Sequence, residues 1–312
     1  MNDTWTAPHR RIASLLPSAT EILYALGLEN CVVGVTHECD FPPSARAKPH
    51  LTASALPAAA NAGEIDRHVR ASLHAGSSLY ALDSALLEGL APDLIITQEL
   101  CDVCAVSYAI VARAAKALRG DPRVISLEPS SLEDVYANVV TVGELTGTAE
   151  RAAAVVAALR ARAAALHARV ACRTRPRVLV LEWTDPPMSG GHWTPELVEL
   201  AGGEPVLADA GRNSRVIAWD AIEAADPDVV LVAPCGFDLA AAGRALADLP
   251  DRAPWERLRA VRMGRAFAID GNAYVNRPGP RLVDTAEIFA SAIHGEPIGA
   301  GATDRTAFAA AG

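Results

Sequence analysis

One arrangement of short apolar runs occurs twice along the 312 residues, and it constrains the fold more than any single motif. Pro92-Asp-Leu-Ile-Ile96 in the first half is matched by Pro227-Asp-Val-Val-Leu231 in the second. Thr20-Glu-Ile-Leu-Tyr-Ala-Leu-Gly27 is matched by Thr194-Pro-Glu-Leu-Val-Glu-Leu-Ala-Gly202, each a helix start with an early Glu, an apolar stripe and a glycine stop. Residues 11–16, 31–36, 94–97 and 124–127, then 178–181, 229–233 and 266–269, are β-branched runs bounded by Pro, Asp or Gly. Such strands alternating with helices mean α/β with mostly parallel sheets. The repetition predicts two Rossmann-like lobes, residues 10–147 and 173–295. Residues 148–172, free of Gly and Pro, carry Val155, Leu159, Leu166 and Val170 on one helical stripe. At about 1.5 Å per residue they predict one long rigid helix of roughly 35 Å joining the lobes, with a ligand cleft between them. The small-residue tail, 296–312, is expected to be poorly ordered.

A hydrophobic content of 51% with 21% charged residues supplies material for two cores. The net charge of −9 leaves no basic field for displacing counterions from phosphates, so nucleic acid is excluded as a partner. No run approaches the roughly 18 apolar residues of a membrane span, and the chain is not expected to insert in a membrane. The opening residues lack the basic start, apolar run and small-residue cleavage site of a secretory signal. The expectation is a cytoplasmic location, or a periplasmic one if the native start lies elsewhere. The six cysteines are accordingly expected as thiols.

Ligands of open α/β sheets bind beyond the carboxyl ends of the strands, and there the distinctive residues collect. Ser18 and Thr20 follow the first strand, although Ser18 also suits a helix cap. His37, Glu38 and Cys39 follow the second, and Cys101-x-x-Cys104 follows the first Pro-Asp strand. His37, Cys39, Cys101 and Cys104 together offer soft ligands suited to zinc. A strand-to-helix CxxC also fits a thiol redox pair, but Glu99 and Asp102 beside it would raise the thiol pKa. In the second half Trp183, His192, Trp193 and Tyr274 follow strand ends and predict a flat apolar wall for a large planar ligand. Gly190-Gly191 allows a close backbone approach, and Arg277 could hold an anionic group. Nucleophile-elbow, P-loop and dinucleotide signatures are missing, so no catalytic residue is expected.

Arg11-Ile-Ala-Ser-Leu-Leu-Pro-Ser-Ala-Thr-Glu-Ile22, Leu26-Gly27 and Val33-Gly-Val-Thr36 resemble the opening of the class III periplasmic binding proteins. These are the vitamin B12 and iron-siderophore substrate-binding components of ABC importers. Leu87-x-x-Leu-x-Pro-Asp-Leu-Ile95, Glu196-Leu-x-x-Leu-Ala-Gly-Gly203 and Arg281-Leu-Val-Asp284 continue the match over roughly residues 10–295. His37-Glu-Cys-Asp40, Cys101-Asp-Val-Cys104 and Gly191-His-Trp193 resemble its cobalamin-binding branch. The resemblance implies two lobes bridged by one helix, cobalamin or a related corrinoid as ligand, and an ABC transporter permease as possible partner. Trp183, Trp193 and Tyr274 would then stack on the ring, and His37, Cys39 or His192 could reach the cobalt. The alternatives left open are a metal-binding protein or metalloenzyme built on the His/Cys cluster, and a redox protein built on Cys101 and Cys104.

Overall fold

The computed structural model describes residues 11–54, 60–74, 79–98, 108–118, 120–299 and 308–310. The chain divides into two compact units. One takes Met1–Ala58, Arg67–Pro129 and Glu133–Ala158; the other takes Ala59–Asp66, Ser130–Leu132 and Leu159–Gly312.

In chain order the first half forms β1 (Ile12–Ser14), α1 (Pro17–Ala25), β2 (Val32–Val35), β3 (Thr52–Ser54), α2 (Ala62–His74) and β4 (Tyr80–Leu82). It continues with α3 (Ser84–Leu90), β5 (Leu94–Thr97), α4 (Tyr108–Ala117), β6 (Arg123–Ser126) and α5 (Leu132–Thr146). A parallel sheet runs in the order β2-β1-β5-β6, and β3 and β4 make a separate antiparallel pair. Ile12, Ala13, Leu94, Ile95 and Ile96 have no exposed surface, which is why apolar residues follow one another in β1 and β5 without polar alternation. The strand order reverses between β1 and β5, the point beyond which such sheets bind ligands. Directly after β1, Pro17 opens α1 with its φ already helical and no N–H to satisfy.

The Gly- and Pro-free stretch forms α6 (Ala149–Val170), 22 residues without a break. It packs closely on α5 because Gly143 has no side chain there: a Cβ at Gly143 would collide with that of Ala152.

The second half forms β7 (Arg177–Thr184), β8 (Pro187–Ser189), α7 (Thr194–Leu200), β9 (Glu204–Pro205), β10 (Arg215–Val216) and α8 (Trp219–Ala225). It continues with β11 (Val229–Val232), α9 (Leu239–Ala247), α10 (Ala253–Arg257), α11 (Arg259–Arg262), β12 (Ala266–Ile269), α12 (Leu282–His294) and β13 (Phe308–Ala310). The sheet order is β10-β8-β7-β11-β12-β13, with β9 also on β7. The centre is parallel, and β8, β10 and β13 are antiparallel additions. Leu179, Leu181, Val230, Val232 and Trp255 build the core of one face. The seven strands expected from the repetition are all present, and the α/β class with largely parallel sheets holds for each half. Within the tail, residues 308–310 pair antiparallel with β12 and satisfy its outer backbone groups.

Candidate functional site

The polar centre of the second unit is built where β7 ends. Glu182 is held by neutral donors. Thr194 Oγ1 donates to its Oε1 at 2.6 Å, Ser214 Oγ donates to its Oε2, and the Gly191 amide adds a third bond. Burial pushes this carboxyl above its ordinary pKa, against the pull of those donors. The loop before α7 and the loop before β10 meet backbone to backbone at Gly191, where a Cβ would lie within 2.5 Å of Arg212 O. His192 follows in the left-handed region, φ 49°. Its N–H donates to Arg212 O at 2.6 Å, and its Nε2 pairs with Asn213 Oδ1 at 3.1 Å. Burial lowers the imidazole pKa, so the ring is neutral at physiological pH.

Beside this centre, Trp183 and Phe237 stand edge to face, centroids 5.3 Å apart, both half-buried. Trp183 Nε1 donates to Asp185 O at 3.0 Å, which fixes the indole while part of the ring stays open. Phe237 comes from the loop after β11, so the pair spans the carboxyl ends of adjacent strands. Tyr274 is half-buried after β12, with the Arg281 guanidinium 5.4 Å from its ring centroid.

Two expected members are placed differently. Trp193 is 7% exposed, its indole N–H donated to Val275 O at 2.9 Å, so it belongs to the core and not to an open wall. Arg277 is 5% exposed and donates to Asn272 Oδ1 at 2.9 Å; buried in this way it does not present a free anion clamp.

In the first unit, Thr20 Oγ1 donates to Ser14 Oγ at 2.8 Å and lies 3.1 Å from Cys39 Sγ. Thr36 Oγ1 is also 3.1 Å from that sulfur. Cys39 is buried within this hydroxyl chain. His37 turns elsewhere, its Nδ1 2.7 Å from Thr52 Oγ1 and its ring 5.5 Å from that of Tyr80. Tyr80 OH donates to Glu38 Oε1 at 3.3 Å, which brings the β4 residue into the cluster. Ser18 is buried inside α1; the cap position is Leu16.

Cys101 and Cys104 lie outside the described residues, so the four-ligand and redox arrangements are not placed. Among the described residues, no group of three or more His, Cys, Asp or Glu side chains is arranged to hold a metal ion. His37 and Cys39 are bonded to different hydroxyls instead. The expected zinc ligation has no support here.

Strand-end loops that carry a fixed aromatic pair stand where open α/β sheets hold their ligands, the arrangement of a binding protein. A family model described as periplasmic binding protein matches residues 12–273, and the chain belongs to that family. A cobalamin-binding protein of Halobacterium salinarum is 26% identical over 295 residues, covering 92% of this chain and 70% of the relative. The crystal structure of the periplasmic vitamin B12 binding protein BtuF of Vibrio cholerae superposes with a TM-score of 0.66 at 21% identity, covering 96% of this chain and 99% of that one. A periplasmic heme binding protein from Pseudomonas aeruginosa gives 0.69 at 22% identity, with 93% and 94% covered. Among the described residues, no helix is long and apolar enough to cross a membrane.

Proposed function

We propose that the chain binds cobalamin or a related corrinoid, as a substrate-binding component that delivers it to an ABC transporter permease. The observation that carries this reading is the half-buried Trp183–Phe237 pair across the ends of β7 and β11. A fixed, partly open aromatic surface suits the face of a macrocycle, since apolar ring area gains most by leaving water and little side-chain entropy remains to be lost. The neutral His192 imidazole stands on a neighbouring loop as a polar contact. The relatives' names supply the ligand class: one binds cobalamin, another vitamin B12, a third heme, all large planar macrocycles. No chemical step belongs to this reading; binding is the activity.

The test is a fluorescence titration with hydroxocobalamin, with hemin as competitor. Saturable quenching is expected, reduced in amplitude and shifted to higher corrinoid concentration in Trp183→Ala, and not displaced by an equal concentration of hemin. Displacement by hemin at equal concentration would move the ligand class to porphyrins, and no quenching would reject the aromatic surface as the binding face.

A further inference from the structure

Glu182 has an unusual position for a carboxyl group. It sits near the end of β7, is half-buried, and is held by the neutral donors Thr194, Ser214 and Gly191. Burying an acceptor-only group of this kind is tolerated when its lone pairs are filled. The three donors are Gly191 from the loop before α7, Thr194 at the first residue of α7, and Ser214 from the loop before β10. One side chain therefore fastens two loops that are distant in sequence. Between its anchor points stand His192 and Asn213, joined at 3.1 Å. With Asn213 Oδ1 as acceptor, the imidazole proton is on Nε2 and the lone pair is on Nδ1. The amide of His192 is held by Arg212 O at 2.6 Å, and its carbonyl accepts from Gly211 N at 3.0 Å, so the positive φ of His192 is over-determined.

We infer that Glu182 is a positioning residue: by fastening the 190–194 and 211–214 loops it selects the Nε2–H tautomer of His192 and aims Nδ1 as an electron-pair donor. The loop-fastening half stands on this geometry alone. Only the identity of what Nδ1 meets rests on the corrinoid reading. A carboxyl that merely filled space would leave the imidazole proton where it is when removed.

The experiment uses the full chain labelled with 15N-histidine at about pH 8, above the ordinary imidazole range. The wild type should show one tautomer at His192, with the proton on Nε2. Glu182→Ala should show both tautomers and bind hydroxocobalamin about tenfold more weakly, the size of one lost charge-assisted hydrogen bond. Glu182→Gln, whose carbonyl still accepts from Thr194 and whose amide can donate to Ser214, should restore both properties. A folded Glu182→Ala protein with the single wild-type tautomer overturns the inference. If that variant does not fold, Ser214→Ala removes one anchor and is read the same way: a mixed tautomer sustains the inference and an unchanged one overturns it. Failure of the wild type to bind cobalamin while the tautomer responds to the substitutions would reject the corrinoid reading and leave the positioning role standing.

Discussion

Trp183 and Trp193 have the same credentials in the sequence: both follow a strand and both sit beside polar loop residues. What separates them is a partner. Trp193 reaches the carbonyl of Val275, 82 residues away, and is drawn into the core, whereas Trp183 bonds to Asp185, two residues on, and stays half open. No local pattern carries that distinction. Phe237, in Pro234-Cys-Gly-Phe-Asp238, lies four residues beyond the apolar run 229–233, and an aromatic in such a strand-end loop is a usable signal. Glu182 was likewise next to a chosen residue, and only the arrival of Thr194 and Ser214 shows what it does. Residue chemistry also sets a pH response. Burial lowers the pKa of His37, His192 and His294 from the ordinary 6.5. The unfolded chain then binds more protons than the folded chain as pH falls from 6.5 toward the folded values, so stability is full above that window and declines through it. Glu182, with its pKa raised from 4.5, acts in the opposite sense, giving stability that is present below 4.5 and lost as pH rises through the folded value. Three histidines against one carboxyl should make the urea midpoint fall between about pH 7 and 5.5. His294→Asn should flatten that fall, and an unchanged slope would contradict the burial of His294.

At the scale of elements, the apolar central strands were legible because both faces are covered and periodicity is not needed to find them. β1, β2, β5, β6, β7, β11 and β12 all lie within a residue or two of the runs quoted, except that β7 extends to Thr184. The strands that escaped are β3, β4, β8, β9, β10 and β13, each two or three residues long. Their existence depends on a neighbour's free edge, not on their own composition. β13 is the clearest instance: three positions, Phe308, Ala309 and Ala310, that have no core pattern are placed by the outer edge of β12. The long helix was legible from its lack of breakers, but its fastening was not. Arg162 of α6 donates to both Asp284 and Glu287 of α12, the latter carboxyl 6% exposed. Removing the guanidinium takes an ion pair from two carboxylates, one of them nearly buried. Arg162→Ala should cost about 2 kcal/mol, below the roughly 3–5 kcal/mol of a fully buried pair because the Arg side chain is itself partly solvated. Chemical denaturation measures this, and a loss under about 0.5 kcal/mol would show the pair to be a surface contact.

For the whole molecule, the doubled motif order, the α/β class and the family were all present in the sequence, because they rest on patterns repeated over hundreds of residues. The zinc cluster proposed from His37, Cys39, Cys101 and Cys104 shows the opposite case. Spacing allows convergence, but side-chain direction decides it, and Cys39 is committed to Thr20 and Thr36 while His37 is committed to Thr52. The function proposed above is the retention of a planar macrocycle by an aromatic face on a scaffold of strand ends. Isothermal titration calorimetry of the purified chain with cyanocobalamin, beside a folded Trp183→Ala/Phe237→Ala variant, addresses that directly. We expect one corrinoid per chain with a negative heat-capacity change, and affinity in the double variant reduced by about 2–4 kcal/mol, from roughly 1–3 kcal/mol for each aromatic contact. Equal affinity in the two proteins, or no heat with cyanocobalamin or any other corrinoid at concentrations up to about 1 mM, would contradict it.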